Sequence, residues 1–292
     1  MNNQVEVNQT NQYSQQDTKV QGKATQKIDK VIEIKPEIKF YEKLIIKVLK
    51  QGHIPNHVAF IMDGNRRFAT NQGKQKTEGH FSGFLTFKKC CEWCFHLGVK
   101  EMTVFAFAIE NFNRSNEEVE VLMNLAQKSL RKLANDGEFL QKYNIKVKIC
   151  GDLKLLPQEV QQSMLEMEEL TKNNKSLLLN ICFAYNSQNE IEHSFSQIKK
   201  QVEDKKLDVN KIDNKVIMEN MHIKTCPDIL IRTSNENRLS NFLTYQSTNT
   251  QIIFIKENWP ELSIFSILKI IIQYQLQLYK QKQVQKQIDS CN

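Results

Sequence analysis

The sequence has few arginines, no long apolar run and no regular spacing of cysteines. Its 292 residues include 40 basic side chains, and the formal net charge is +7. That charge suits an acidic ligand or an anionic membrane surface, but it is too small to imply nucleic acid by itself. No basic run with interleaved aromatic residues is present, so we expect no nucleic-acid partner.

The apolar residues are too interrupted to span a membrane. A spanning helix needs roughly 18 consecutive apolar residues, and the richest stretch, 262–272, contains Lys269. The first residues are polar, without an apolar stretch behind a basic start, which predicts no secretory signal. We therefore expect a chain that does not cross a membrane by itself.

The seven cysteines are odd in number and scattered, which favours reduced thiols over a disulfide framework. The nearest approach to a metal motif is Cys90, Cys91, Cys94 and His96. No second pair of ligands follows at zinc-site spacing, so we expect core thiols there rather than a zinc ion.

Composition divides the chain into four segments. Eleven of the first 26 residues are Asn or Gln, and residues 1–36 are predicted to form a disordered tail because they cannot bury enough apolar surface. We predict an amphipathic helix over 37–53, one domain over 54–280 and a polar C-terminal tail over 281–292. The length and apolar content suit a single large domain.

The amphipathic helix has an apolar stripe that Gly52 ends. The stripe consists of Phe40, Tyr41, Leu44, Ile45, Val48 and Leu49. A stripe of this width ordinarily packs on the domain, and we favour that interpretation. The alternative is that it contacts a membrane or shields an apolar substrate, since the helix also contains lysines.

From His57 onward, short β-branched or aromatic runs alternate with longer helical patterns. This alternation predicts an α/β fold with an open, mostly parallel six-stranded sheet flanked by helices. The last helix is predicted from about residue 261 to 286. The predicted strands are 58–62, 102–107, 146–150, 177–182, 228–231 and 252–255.

Two long helices are predicted between the first three strands. One runs from Ser82 to Leu97 and is ended by Gly98, and the other opens at Ser115 with Glu118 at the spacing of a capping box. Their apolar faces ordinarily form a core. They could also enclose a tunnel, and the sequence alone does not distinguish the two arrangements.

Only six of the 40 basic residues are arginines, and five of these lie in three short segments that follow predicted strands. Arginine binds phosphate oxygens through two parallel hydrogen bonds and stays charged when partly desolvated. Open α/β sheets bind ligands at the carboxyl ends of their strands. The pattern predicts an enzyme subunit that binds diphosphate groups. The five arginines are Arg66, Arg67, Arg114, Arg232 and Arg238.

The first segment, Met62–Arg67, contains an acidic residue among phosphate-binding groups. Gly64 would let the backbone approach an anion closely. Asp63 would repel phosphate unless a cation lies between them, and Mg²⁺ is commonly held by one or two carboxylates together with phosphates. The alternative is a simple turn, but the arginines that follow, Arg66 and Arg67, favour an anion site.

The second segment, 110–114, leaves a strand and enters a helix. Asn111 could hold a substrate oxygen or relay a proton, and Arg114 could reach a phosphate, although ordinary helix capping explains the segment equally well. His80 is a possible acid or base near the first segment, but a lone histidine is more often structural.

The third segment places Arg232 and Arg238 around Ser240, and it predicts a second anion pocket. The chain has no G-x-x-x-x-G-K-[ST] loop, which argues against a nucleotide-phosphate enzyme.

These segments resemble the cis-prenyltransferase, or undecaprenyl diphosphate synthase, family. Within it the sequence is most similar to the eukaryotic dehydrodolichyl diphosphate synthase catalytic subunits. The resemblance spans about residues 54–278 and implies that 54–280 is a catalytic domain with a hydrophobic tunnel between sheet and helices. The matching runs are 57–69, 78–84, 105–115, 177–187 and 227–243.

The resemblance implies repeated addition of isopentenyl diphosphate, in cis geometry, to an allylic starter such as farnesyl diphosphate. The product would be a long polyprenyl diphosphate for dolichol synthesis and protein glycosylation. The resemblance also implies Mg²⁺ and peripheral association with the cytoplasmic face of the endoplasmic reticulum membrane. The alternative is a non-catalytic scaffold subunit that stabilises an active homologue, and the retained motif residues argue against it.

Roles follow from motif position. Asp63 would hold Mg²⁺ and help the allylic diphosphate leave. The allylic site would consist of Gly64, Asn65, Arg66 and Arg67. The isopentenyl diphosphate would be bound by Arg232, Arg238 and Ser240. Ionisation or proton removal would be supported by Asn111, Arg114 and His80, with the general base left open by the motif. The tunnel would be lined by Phe84, Phe87, Leu122 and Leu125.

Several positions depart from the family pattern. Ala108 replaces a common serine, Lys76 an arginine and Asn235 a glycine, and the last change predicts a perturbed second pocket. Gln251 stands where bacterial relatives have a metal-binding glutamate, a loss shared by eukaryotic relatives. Single-subunit relatives end in an Arg-x-Gly motif, which is not found after Tyr274. The resemblance therefore implies a partner subunit of the Nogo-B receptor kind.

Overall fold

The computed structural model describes residues 38–135 and 138–291, so the predicted tail over 1–36 lies outside the described residues. Six strands form the sheet: β1 (His57–Ile61), β2 (Glu101–Ala108), β3 (Ile145–Cys150), β4 (Leu177–Tyr185), β5 (Ile229–Arg232) and β6 (Gln251–Phe254). The α-helices are α1 (Phe40–Leu49), α2 (Asn65–Asn71), α3 (Lys76–Leu97), α4 (Asn116–Asn135), α5 (Glu138–Lys142), α6 (Gln158–Thr171), α7 (Ser187–Glu203), α8 (Asn214–Glu219) and α9 (Ile264–Cys291).

The sheet is open and entirely parallel, with the strand order β3-β4-β2-β1-β5-β6. The predicted fold class is therefore confirmed. Val58 of β1 pairs with Met102 of β2 and with Ile229 of β5, so these three strands are neighbours in the middle of the sheet. Since all strands run in the same direction, the segments that follow β1, β2 and β5 meet at one edge.

Both faces of the sheet are covered, which is why its central strand is apolar after His57. Every residue of β1 is buried. Phe60 belongs to the larger core, where its ring meets Trp259 edge-on at 5.6 Å, whereas Ala59 and Ile61 belong to the smaller core on the opposite face. Burying a side chain such as Phe60 contributes about 1.5–3 kcal/mol.

The two long helices occur where the sequence predicts them, with one difference in each. α3 begins at Lys76 rather than Ser82, and it ends as predicted, with Gly98 at φ +90°. At the start of α4, Ser115 Oγ accepts a hydrogen bond of 3.4 Å from the Glu118 backbone N–H. The Glu118 carboxylate binds arginines instead of returning to the cap, so only half of the predicted capping box forms.

The first helix packs with a different face from the predicted one. Ile46 and Leu49 are buried, whereas Phe40, Leu44 and Val48 are 77%, 49% and 67% exposed. The prediction that the stripe packs on the domain is therefore wrong for most of its members. The helix has two apolar arcs, and periodicity alone does not indicate which of them faces the core.

The last helix is longer than predicted. α9 continues to Cys291, through most of the segment predicted to be a polar tail, and the side chains of residues 281–287 are exposed. Among the described residues, no helix combines the length and apolar character required to cross a bilayer.

The cysteines are core thiols where the sequence predicts them. Cys90, Cys91 and Cys94 are buried in α3, and burial raises the pKa of all three. Cys150 and Cys182 are buried in neighbouring strands, while Cys226 is exposed. In residues 38–135 and 138–291 there is no cluster of three or more His, Cys, Asp or Glu side chains suited to a metal ion.

Candidate active site

One polar cavity of about 350 Å³ lies at the carboxyl ends of β1, β2 and β5. All the predicted site residues line it, including those assigned to two separate anion pockets, so the structure joins those pockets. Their roles stay predictions. The residues are Asp63, Gly64, Asn65, Arg66, Arg67, His80, Asn111, Arg114, Arg232, Arg238 and Ser240.

Arg232 is the buried cation of this cavity. It is the last residue of β5, and its side chain is only 3% exposed. Its Nη2 donates to Asp63 Oδ2 at 3.0 Å, and its Nη1 donates to Ser240 Oγ at 2.8 Å and to the Arg238 carbonyl. These bonds compensate the cost of removing a guanidinium from water. They also fix Asp63 against the third segment.

Gly64 occupies a position that only glycine fits. Its φ is +101°, and a Cβ there would lie 2.5 Å from Asn258 Oδ1 and 2.8 Å from Ser234 Oγ. Its N–H donates to Asp63 Oδ1 at 2.8 Å. The turn after β1 therefore brings the backbone against the third segment without an intervening side chain.

Glu236 joins two arginines from different segments, and sequence reasoning did not identify it. Its carboxylate accepts hydrogen bonds from Arg67 and Arg238, which lower its pKa. Arg67 Nη1 also donates hydrogen bonds to the Ser234 carbonyl oxygen at 2.6 Å and to Ser234 Oγ at 2.7 Å. The available signal was an acidic residue between two arginines, Arg232 and Arg238, of a segment predicted to bind phosphate.

Glu118 likewise joins two arginines from different segments, Arg66 and Arg114. Its carboxylate lies 2.8 Å from Arg114 Nη1 and 3.4 Å from Arg66 Nη1. The five arginines of the cavity are thus paired with only three carboxylates, those of Asp63, Glu118 and Glu236. The excess of positive charge suits a diphosphate, which can take over the arginine donors.

Asn235 is the departure that predicts a perturbed second pocket. It adopts φ +56°, in the left-handed region, where asparagine is tolerated better than most residues. Its N–H donates to the Ile255 carbonyl at 2.8 Å. The turn therefore accommodates asparagine, and the effect of this change on anion binding stays a prediction.

Asn111 acts as a cap, one of the two roles that its sequence left open, and its role toward a substrate stays a prediction. Its Oδ1 accepts a hydrogen bond from the Ala108 N–H at 3.1 Å, as a capping side chain does. Because that bond identifies the oxygen, the remaining NH₂ group is a donor available to a substrate. Asn111 lines the cavity as well as capping the 3₁₀ turn 109–113.

His80 lies where the polar cavity meets a second, apolar one. Burial, reinforced by Arg114, lowers its pKa to about 4, so the ring is neutral at pH 7. Within the described part of the chain, its buried Nε2 has no hydrogen-bond partner, and neither has Asn65 Oδ1. Both residues line the two cavities. The junction therefore offers two unsatisfied polar atoms beside apolar walls.

The apolar cavity has a volume of about 170 Å³ and lies between the sheet and helices α3 and α4. It shares Met62, Phe105 and Phe107 with the polar cavity, so the two are contiguous. The residues predicted to line a tunnel all line this cavity, namely Phe84, Phe87, Leu122 and Leu125.

Asp63 is the residue of the cavity best suited to a cation. Its side chain is 40% exposed, and each carboxylate oxygen accepts one hydrogen bond, which leaves a lone pair on each. Gln251, which stands where bacterial relatives have a metal-binding glutamate, lies at the same level of the sheet as Val58, because both pair with Ile229 of β5. Gln251 is therefore roughly 16 Å from Asp63 along the strand direction, at 3.3 Å per residue. A Mg²⁺ ion here fits one carboxylate complemented by phosphate oxygens and water.

Known proteins similar to this chain share its sequence pattern and its fold. The family model of undecaprenyl diphosphate synthases matches residues 61–282. A dehydrodolichyl diphosphate synthase complex subunit of Schizosaccharomyces pombe is 43% identical over 239 residues, which are 81% of this chain and 90% of that protein. The corresponding subunit of Homo sapiens is 38% identical over 82% of this chain and 73% of its own.

A solved structure extends the similarity to three dimensions. Lavandulyl diphosphate synthase from Lavandula x intermedia, in complex with dimethylallyl diphosphate, superposes with a TM-score of 0.71 at 31% identity. The match covers 76% of this chain and 95% of that one. Sequence, fold and the arginine-lined cavity agree, and this chain belongs to the cis-prenyltransferase, or undecaprenyl diphosphate synthase, family of enzymes.

Proposed function

We propose that this chain is the catalytic subunit of a heteromeric enzyme that condenses isopentenyl diphosphate repeatedly onto farnesyl diphosphate. The product is a long-chain polyprenyl diphosphate for dolichol synthesis. The observation that supports this function is the continuity of an arginine-lined polar cavity with an apolar one. Diphosphate groups suit the first cavity, and hydrocarbon suits the second.

The reaction needs two diphosphates held side by side. The allylic carbon–oxygen bond breaks and its electron pair leaves with pyrophosphate. The double bond of isopentenyl diphosphate then forms the new carbon–carbon bond, and a proton is lost to give a new double bond. In this proposal Gly64, Asn65, Arg66 and Arg67 bind the allylic diphosphate, and Arg232, Arg238 and Ser240 bind the other. Holding both groups in place removes much of the entropic barrier.

The departing pyrophosphate accumulates negative charge, and the cavity is built to receive it. Arg66 and Arg67 stabilise that charge with fixed donors. When Mg²⁺ is bound at Asp63, it neutralises part of the diphosphate charge. Asp63 is itself oriented by Arg232 and by the Gly64 N–H.

The proton is lost at the junction of the two cavities. His80 is neutral, and among the described residues its Nε2 has no hydrogen-bond partner, so it can accept a hydrogen bond at pH 7; its lowered pKa makes it a weak base. Asn111 offers its NH₂ group, and Arg114 adds positive charge on the diphosphate side. These three residues support ionisation and proton removal.

The growing hydrocarbon extends between α3 and α4. Each five-carbon unit that leaves water is stabilised by about 4 kcal/mol, at roughly 0.8 kcal/mol per CH₂ group. A cavity of about 170 Å³ accommodates only the first units, so a long product requires the cavity to open as a tunnel and a membrane to receive the chain. We place the enzyme peripherally on the cytoplasmic face of the endoplasmic reticulum membrane.

A partner subunit completes this proposal. The relatives from Schizosaccharomyces pombe and Homo sapiens are each described as a subunit of a complex. We propose a partner of the Nogo-B receptor kind, which supplies the Arg-x-Gly motif to this cavity. A non-catalytic scaffold subunit would have no evident need for the retained residues Asp63, Arg67 and Arg232.

Incorporation of radiolabelled isopentenyl diphosphate onto farnesyl diphosphate tests the proposal, with this chain alone and with the candidate partner. We expect little product from the chain alone and long polyprenyl diphosphates from the complex, with chain lengths measured by chromatography. Robust synthesis without a partner would refute the heteromer. A fully active complex containing Asp63→Ala would establish the scaffold role instead.

A further inference from the structure

A serine interrupts the apolar face that α4 presents to the apolar cavity. The residues of α4 that line this cavity include Leu122, Ala126, Ser129 and Leu133. At about 100° per residue, these four side chains fall within roughly 60° of one another around the helix axis. Ser129 is only 6% exposed. The wall of the cavity therefore contains a buried hydroxyl group on a face that is otherwise apolar.

The hydroxyl of Ser129 has no hydrogen-bond partner among the described residues. A serine or threonine inside a helix ordinarily donates to the carbonyl four residues earlier. In this chain Ser163 Oγ donates in this way to the Glu159 carbonyl at 2.9 Å. Thr171 Oγ1 donates to the Met167 carbonyl at 2.8 Å. An unpaired buried hydroxyl is unfavourable for folding, so the position of Ser129 points to a bound group that pairs with it.

Ser129 lies away from the diphosphate groups. Asn65 and His80 line both cavities, whereas Ser129 lines only the apolar one of the two. Leu122 also lines both, so it marks their junction on α4. Ser129 lies about 10 Å further along the helix, at 1.5 Å per residue. The group that reaches this hydroxyl is therefore the hydrocarbon of a ligand and not its diphosphate.

A prenyl chain differs from a saturated chain in a way that a hydroxyl can detect. Each five-carbon unit contains a double bond, and its π electrons can accept a weak hydrogen bond from an O–H group, as those of an aromatic ring do. The third double bond of farnesyl diphosphate begins about nine bonds beyond the first carbon, or roughly 11 Å at the ~1.2 Å per bond of an extended chain. That depth matches the distance from Leu122 to Ser129.

We propose that Ser129 is a specificity-determining residue that donates an O–H···π hydrogen bond to the third double bond of the allylic starter. It thereby favours prenyl chains over saturated chains of the same size. This inference rests on the proposed function, since it takes the apolar cavity as the site of the hydrocarbon. After each addition the chain moves one unit deeper, which brings another double bond to the same depth. The hydroxyl therefore acts on the growing chain as well as on the starter.

Isothermal titration calorimetry tests the proposal on the full-length protein, alone and with the candidate partner. Mg²⁺ is present and isopentenyl diphosphate is left out, so that no turnover occurs. The two probes are farnesyl diphosphate and 10,11-dihydrofarnesyl diphosphate, which lacks only the third double bond. The preference of the wild type for farnesyl diphosphate should exceed that of Ser129→Ala by about two- to fivefold. Comparing preferences cancels the different hydrophobicity of the two chains.

Ser163→Ala is the matched control. Ser163 is also a buried helical serine, but it lies outside the list of side chains that line the apolar cavity, and its hydroxyl is hydrogen-bonded. This variant should keep the wild-type preference. Without ligand, Ser129→Ala should raise the melting temperature by about 2–4 °C, because it removes an unpaired buried hydroxyl, whereas Ser163→Ala should not raise it.

Three results would overturn the proposal. Equal preferences in the wild type and Ser129→Ala, with both probes still bound, would leave the proposed function standing without this hydrogen bond. A lower melting temperature of Ser129→Ala would show that the hydroxyl is already paired within the protein. The same change of preference in Ser163→Ala would mean that the effect is not local to the cavity. If neither probe binds the wild type, the proposed function itself fails, and this inference fails with it.

Discussion

The polar and apolar cavities are contiguous, but different kinds of interaction form them. The polar one is formed by segments that follow β1, β2 and β5, and its arginines are paired with carboxylates. The apolar one is formed by faces of α3 and α4, whose packing fixes its volume. Ion pairs can exchange partners, whereas packed side chains cannot. In the proposed reaction, the first cavity would determine which groups bind, and the second would determine how much hydrocarbon fits.

Asp63 should have the largest effect on the polar side. We expect Asp63→Asn to lower isopentenyl incorporation by the reconstituted complex about a hundred- to a thousandfold, since the amide can still accept from Arg232 but cannot balance a cation. A chelator should abolish the wild-type activity, and added Mg²⁺ should restore it. Asp208→Asn, on the surface, serves as the control. Near-normal activity of Asp63→Asn would mean that the polar cavity works without a metal carboxylate.

His80, where the two cavities meet, should couple stability to pH. Its folded-state pKa of about 4 lies below the ordinary value of 6.5, so the unfolded chain binds the proton first as the pH falls. Stability is therefore lost between about pH 6.5 and pH 4, by up to about 3 kcal/mol. Urea unfolding at pH 7 and pH 4.5 measures the loss.

The variant His80→Gln should lack this part of the acid sensitivity, while His53→Gln, at an exposed position, should retain it. The same pH dependence in all three proteins would mean that the ring of His80 is not held neutral by its surroundings.

Arg238 should affect binding more than chemistry. Arg238→Lys keeps the charge but loses the planar pair of donors, so we expect the KM for isopentenyl diphosphate to rise about tenfold while kcat changes less. Arg131→Lys, the arginine outside the cavity, is the matched control and should leave the steady-state constants unchanged. A fall in kcat alone would assign Arg238 to the reaction step.

The apolar side should respond in product length rather than in rate. Ala126 lines the apolar cavity, and Ala126→Phe fills part of it, so the products should shorten by about one or two five-carbon units. Val121→Phe adds the same volume on the exposed face of α4. Equal product lengths in both variants, measured by chromatography, would show that this cavity does not determine the length of the product.

The sequence was sufficient to predict the strands of the sheet, because the residue patterns that indicate a strand are local. Short β-branched runs such as 58–62 and 146–150 identify strands to within a residue or two, and the arginines after them identify the binding edge. β4 extends to Tyr185, three residues further than predicted, since its apolar run continues through Phe183.

The pairing of charges was not predictable in the same way. Glu236 joins Arg67 to Arg238 across 169 residues of sequence, and that contact depends on where the folded loops place each carboxylate. Glu118 fitted a capping box by spacing, yet its carboxylate binds Arg66 and Arg114. Local pattern gives an acidic residue a local role, and the tertiary structure can reassign it.

The pairing of β1 with β5 also sets an order of events during synthesis. It joins Asp63 to Arg232, which emerges from the ribosome 169 residues later. Such distant contacts require the loss of loop-closure entropy before their interaction free energy is gained, which makes them late steps of folding. A nascent chain therefore has the Asp63 side of the polar cavity long before the Arg232 side, and truncation before β5 removes the third segment from that cavity.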